Sequence, residues 1–143
     1  MISVRISNTI PKATKEAEQL ITRNAVRHVN RVANYFRTQI LLGMKRTPKT
    51  GNEYPRGKKG KKTHIASSEG NPPAIDTGRL SSSITVRPAT AFGKTPTAKV
   101  STNVEYSQYL EMVYNRPFMS KDSKAFNLAR IYANKIAKTI MVK

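Results

Sequence analysis

Cysteine and tryptophan are absent from this chain of 143 residues, and acids are scarce. The lack of cysteine excludes disulfide staples, thiolate metal ligands and a thiol nucleophile together. Aromatic residues make up 7% and hydrophobic residues 38%, which is material for one modest core and a single domain over residues 1–143. No apolar run approaches the ~20 residues a membrane-spanning helix requires. The opening Met1-Ile2-Ser3-Val4-Arg5-Ile6-Ser7 alternates instead of forming a signal-peptide block, so neither membrane association nor secretion is expected. The only histidines, His28 and His64, have no carboxylate cluster beside them in sequence, and no HExxH or paired-aspartate spacing occurs. They read as one helix-surface and one solvated loop histidine, and no metal or cofactor is expected. Glu105 and Glu111, six residues apart on one short helical segment, point in different directions. They read as capping or ion-pairing groups, not as an acid–base pair, and no enzymatic activity is expected.

What the chain has in abundance is positive charge. Twenty-six Lys and Arg face eight Asp and Glu, a formal net charge of +18 and a pI near 10.6. Such a balance points to polyanions or acidic proteins as partners. Lys45, Arg46, Lys49, Arg56, Lys58, Lys59, Lys61 and Lys62 fall between Met44 and His64 beside one acid, Glu53, for a local net of +7. The remaining 18 basic and 7 acidic residues still leave the body of the chain at +11.

Hydrophobic periodicity orders the rest. Ile2, Val4 and Ile6 alternate as on a half-buried strand closed by Pro11. From Lys12 to Leu42, Ala17, Leu20/Ile21, Ala25, Val29, Val32/Ala33, Phe36 and Ile40 recur at helical spacing. Thr9 or Thr14 suits the start of this helix and Gly43 its exit. At ~45 Å it is longer than one small domain can cover. Residues 44–75 show no period, carry Gly51, Gly57, Gly60, Gly70 and four prolines, and read as a long basic arm that orders only against a partner. Asp76 or Thr77 then caps a short turn through Ser83. Ile84/Val86 and Ala98/Val100/Thr102/Val104 alternate as two strands of a loose hairpin through Gly93. Tyr106, Tyr109, Leu110 and Val113 have helical spacing, and a last helix capped by Ser120 carries Ala125, Leu128/Ala129, Tyr132, Ile136 and Ile140.

Two kinds of site follow. The segment Gly57-Lys58-Lys59-Gly60-Lys61-Lys62-Thr63 lacks the spacing and the strand–helix frame of a phosphate loop, so its lysines read as mobile point charges for a polyanion or an acidic protein surface. The apolar positions exceed what one small sheet can bury. Val26, Val29 and Phe36 on the long helix, with Tyr106, Tyr109 and Phe118, are therefore expected to carry a subunit interface.

The order of motifs carries a resemblance. Pro72-Pro73 is followed by Thr77-Gly78-Arg79-Leu80 with Ser83-Ile84, then by Val100 through Glu111 with its Tyr106-Ser107-Gln108-Tyr109-Leu110-Glu111, then by Arg116-Pro117-Phe118 before a final helix. Across residues 72–140 this resembles the head–tail joining, or tail-completion, family of tailed bacteriophages. It departs from that pattern at Val113, where a glycine is expected, and at Lys121-Asp122-Ser123. The resemblance implies an α+β fold, a small, mostly antiparallel sheet packed by a long N-terminal and a C-terminal helix. It implies a structural virion protein forming a ring, a hexamer by analogy, at the neck or tail top. Its partners would be its own copies, the head connector or adaptor, the tail-tube proteins and, without sequence specificity, double-stranded DNA in the lumen. Its place would be the virion, and the host cytoplasm before assembly. Arg79, Arg87, Lys94 and Lys99 are then the expected lumen charges. A free-standing, sequence-nonspecific nucleic-acid-binding protein is the alternative that the net charge alone favours.

Overall fold

Alternation places Ile2, Val4 and Ile6 on one face of strand β1 (Ile2–Ser7), half-buried, and Ser3, Arg5 and Ser7 on the other, exposed. The computed structural model describes residues 1–7, 14–91 and 95–141, with residues 140 and 141 described by backbone only. After β1 come α1 (Lys15–Arg46), the hairpin strands β2 (Glu53–Arg56) and β3 (Lys62–Ile65), and the short α2 (Arg79–Ser83). Then follow β4 (Thr85–Arg87), β5 (Thr97–Thr102), α3 (Ser107–Met112) and α4 (Lys124–Met141). The fold is α+β. β5 is the centre of a three-stranded antiparallel sheet of order β1-β5-β4, and β2 and β3 form a separate antiparallel ribbon.

The inner face of the sheet is covered by α1, against which α4 packs. Val29, Ala33, Phe36, Ile40 and Met44 of α1 pack with Ala98 and Val100 of β5, and with Leu80, Ile84, Phe118, Met119, Ala125 and Ala129. Tyr35 stacks on Tyr132 at 4.2 Å between ring centroids, and Phe36 meets Phe126 edge-on at 6.0 Å. Each aromatic pair adds about 0.5–1.5 kcal/mol to the area it buries. Phe126, beside the stripe expected for α4, also packs against the core. The helix α1 also grips β4 by its flanks. Asn30 Nδ2 donates to Ala89 O at 3.2 Å, Ala89 N–H donates to Asn30 Oδ1 at 2.7 Å, and Arg37 Nε donates to Ile84 O at 2.8 Å.

Several boundaries differ from the sequence reading. α1 runs through Gly43 to Arg46, and Met44 is core at 2% exposure. The stop comes from Pro48, which disfavours helical backbone at Thr47. Thr47 turns to ψ 127°, and its N–H and Oγ1 both donate to Gly43 O. α4 is capped by Ser123 and not by Ser120: Ser123 Oγ accepts the Phe126 N–H at 3.1 Å and donates to Ser120 O. Near the start of α1, Leu20 is 56% exposed. The expected strand stop at Pro11, the Thr9 cap, the helix start at Lys12 and Gly93 lie outside the described residues, as does the Ile140 side chain.

The largest correction concerns residues 44–75, which are structured within the chain itself. Lys45 and Arg46 form the last turn of α1, and residues 53–65 form the β2–β3 hairpin. Gly51 N–H donates to Ala66 O and Ala66 N–H to Asn52 O, which extend the ladder into the body, where Ala66 and Ser67 are buried. A Cβ on Gly51 would lie 2.3 Å from Ser67 O, so only glycine permits that approach. The ribbon escapes a periodicity reading because nearly every residue in it is exposed on both faces.

His28 is half-buried on α1, and its Nδ1 is enclosed with no hydrogen-bond partner among the described residues. Burial, and then the neighbouring Arg31, lower its pKa from the ordinary 6.5. The folded state therefore holds the neutral imidazole, and the unfolded chain takes up its proton first as pH falls. This stability is complete above pH 6.5 and declines as pH drops toward the lower folded value. Thermal melts of wild type and His28→Leu should differ more at pH 5 than at pH 7, in favour of the variant; a constant difference would contradict the assignment.

Candidate partner and polyanion interfaces

Strand register brings basic residues together that are far apart in sequence. Arg5 of β1 lies directly opposite Lys99 of β5, and Lys99 directly opposite Arg87 of β4. Directly opposed residues share a face, so three cations form one row across the sheet. At ~4.8 Å between strands the row spans roughly 10 Å. The neighbouring row is Ser3, Ser101 and Thr85, and Ser7 faces Thr97 beyond. Among the described residues the paired positions of this outer face thus carry hydroxyls and cations without an acid, with the Met1 sulfur 3.7 Å from Lys99 Nζ, and such groups are those that contact phosphate oxygens. Like charges opposed across strands cost stability, roughly 0.2–1 kcal/mol per pair, so folding alone gives no reason for the row. Of the charges expected at a lumen, Arg87 and Lys99 belong to it. Arg79 is exposed at the start of α2, where it lines a cleft with Asp76 and Arg116, and Lys94 lies outside the described residues. Arg5 was missed as a site residue. Its two-residue alternation set it on the outer face, but the sequence does not reveal which strand it would meet.

The eight basic residues of the expected arm are divided by the fold. Lys45 and Arg46 sit at the C-terminus of α1, where cations suit the helix dipole. Lys49 is exposed in the connection, and Arg56, Lys58, Lys59, Lys61 and Lys62 are exposed at the far end of the hairpin. The hairpin turn winds through Gly57, Lys59 and Gly60 with positive φ. Arg56 is not free for a partner: its Nη1 is 2.8 Å from Asp76 Oδ1 and ties the ribbon to the body. His64 Nδ1 stands 3.5 Å from the same oxygen, with its side chain only 16% exposed. It is therefore not the solvated loop histidine expected. Among the described residues, no group of three or more His, Cys, Asp and Glu is placed to hold a metal ion.

The expected subunit interface is also divided. Val29, Phe36 and Phe118 are at most 1% exposed, and Val26 packs against the same core. Those four serve the chain's own interior, because the inner sheet face and two helices suffice to bury them. α3 behaves differently. Its inner side presents Ser107, Leu110 and Glu111, while Tyr106, Tyr109, Met112, Val113 and Tyr114 face solvent, Tyr109 at 62% and Met112 at 83%. Such a run of Tyr, Met and Val matches the composition of interface cores. A single carboxylate holds it in place. Glu111 Oε1 accepts the backbone N–H groups of Phe118, Met119 and Ser120 at 3.1, 2.5 and 3.1 Å. The capping role read for Glu111 thus has a definite target, the turn that leads from Arg116-Pro117-Phe118 into α4.

Comparison with protein-family models, with curated proteins and with solved structures returned no match. No helix among the described residues is long and apolar enough to cross a membrane.

Two expectations follow. Glu111→Ala should cost roughly 2–4 kcal/mol in a denaturant titration, because three enclosed amides lose a charged acceptor, and Glu111→Gln should cost less. Equal stability of all three proteins would mean that the turn does not depend on the carboxylate. Replacing Arg5, Lys99 and Arg87 together with threonine should stabilise the sheet while weakening binding to duplex DNA equally for all sequences. The slope of log affinity against log salt, read by fluorescence anisotropy, should fall by about three. An unchanged slope would show that DNA does not use this face.

Proposed function

We propose that the chain is a structural, non-enzymatic subunit of the neck or tail top of a tailed bacteriophage. It forms a ring through which DNA passes on the way from the head connector to the tail tube. The observation that carries this reading is the β5–α3–turn unit. The segments whose order resembles the tail-completion family fold into one locked piece that turns five adjacent apolar side chains outward. A closed ring needs a head-to-tail contact between two different patches. The α3 strip would supply one, and the first turns of α1 with exposed Leu20 would offer the other. The cation and hydroxyl face of the sheet would meet duplex phosphate without reading sequence, and the basic hairpin tip would dock on an acidic surface of the connector or tail.

The Arg5–Lys99–Arg87 row also favours a second reading, a free-standing nonspecific nucleic-acid-binding protein. Light scattering after size exclusion, with negative-stain microscopy, separates the two. On the first reading the purified protein gives rings, and Tyr109→Glu abolishes them while circular dichroism is unchanged. Phe118→Asp is the contrasting control and should unfold the chain, since Phe118 is 1% exposed. A monomer that binds DNA and never assembles at any concentration would reject the ring and leave the second reading.

A further inference from the structure

A groove of about 650 Å³ lies between β1 and α3. Ile2, Ser3, Val4 and Arg5 all line it. Successive side chains of a strand point to opposite faces, so a groove that meets four in a row follows the strand's edge. β1 pairs with β5 on one side, and among the described residues no strand pairs with it on the other. In an antiparallel pair every second residue turns its N–H and C=O away from its neighbour. The backbone groups of β1 that β5 does not use therefore open toward this groove. On the opposite wall Gln108 and Met112 of α3 stand one turn apart, both exposed, Met112 at 83%. Phe126 of α4 also lines the groove, and it packs against the same core as Ile2 and Val4.

A strand edge with apolar side chains beside it fits an extended segment of chain. Such a segment binds through backbone hydrogen bonds and is selected by its alternate side chains. Charge decides whose segment it is. An added strand sets one side chain directly in line with Arg5, as a fourth place in the row of Arg87, Lys99 and Arg5. A cation there would repeat the like-charge opposition of the row, and an acid would relieve it. Lys121 is a second exposed cation on the groove, and the acid that lines it, Glu111, is engaged by the Phe118, Met119 and Ser120 amides. A second copy of this chain does not supply the segment. Among its described strands only β2 holds an acid, Glu53, and the acids spaced two apart, Glu16 and Glu18, are in α1. We propose that the β1 edge accepts an extended segment of a different, acidic partner protein. Its apolar side chains alternate toward Met112 and Phe126, and its acidic ones toward Arg5 and the outer face. Met112 is the one residue shared with the strip assigned to the ring contact, and the groove is complete within one chain. The inference therefore stands apart from ring formation.

The test uses the full chain, labelled with ¹⁵N and carrying Tyr109→Ser, so that the ring contact has no part in the result. The probe is acetyl-Ser-Val-Glu-Val-Glu-Val-Ser-amide, alongside its Lys counterpart. The Glu peptide should move amide resonances of residues 2–5, 108, 111–112, 121 and 126. It should bind about fivefold more tightly than the Lys peptide. Arg5→Glu should remove most of that preference, and position 5 is exposed, so the core is untouched. Backbone pairing has its own readout. N-methylation of the peptide at its Val residues and at its Glu residues should differ, one set abolishing binding and the other sparing it, because only alternate amides face β1. If Arg5→Glu does not fold, the two methylated peptides decide alone. An unchanged preference in Arg5→Glu, equal effects of the two methylations, or shifts confined to residues 58–62 would each overturn the proposal. Rings from the wild-type chain with no binding of the Glu peptide would reject this inference and not the ring reading; binding without rings would do the opposite.

Discussion

One seam of side chains has to cover the whole inner face of a three-stranded sheet, and that seam is Val29, Ala33, Phe36, Ile40 and Met44 of α1. Each large member contributes about 1.5–3 kcal/mol by leaving water, so few can be spared from so modest a core. α4 then has to approach closely enough to close the sides, which its small residues Ala125 and Ala129 permit. Most apolar side chains of α1 and α4 are consumed in this way, Leu20 and Ile131 excepted. The paired outward positions of the sheet are left to Ser, Thr, Arg and Lys, and α3 turns only Leu110 toward the core, leaving Tyr109 and Met112 uncovered.

An exposed apolar strip on a six-residue helix would ordinarily be a mobile one, since so short a helix does not hold itself together. The Glu111 carboxylate changes that by joining α3 to the backbone that opens toward α4. The strip is thereby set relative to the core before any partner arrives, and a partner does not have to provide the ordering free energy. A fixed presentation of this kind distinguishes a binding surface from a frayed end.

Burial was readable from the sequence wherever an element has one wet and one dry face. β1, β5 and the central turns of α1 obey their two- and 3.6-residue periods because one side of each is apolar. The β2–β3 ribbon has no dry side, so its residues carry no period and resemble an unstructured arm, although its base is hydrogen-bonded at Gly51 and Ala66. The interface residues split for a related reason. Phe36 and Tyr109 are alike in sequence as aromatic members of helical stripes, and only the packing of α1 against β5 decides that one is core and the other surface. The cation row was invisible for want of register. Arg5 and Lys99 are separated by nearly the whole chain, and pairing between strands is what makes them neighbours.

Among the described residues the sheet ends at β1 with no strand paired on its far side, leaving a row of amide and carbonyl groups of the kind on which a further strand can grow. A second copy approaching that edge brings its own Arg5 toward Arg5 and Lys99, and a net +18 toward +18. Within a Debye length of ~8 Å this repulsion opposes stacking of the sheets, and it weakens where a polyanion neutralises the row. The same cations that suit a phosphate surface therefore act as gatekeepers, guarding the free edge from fibre-like growth while the chain is in dilute solution.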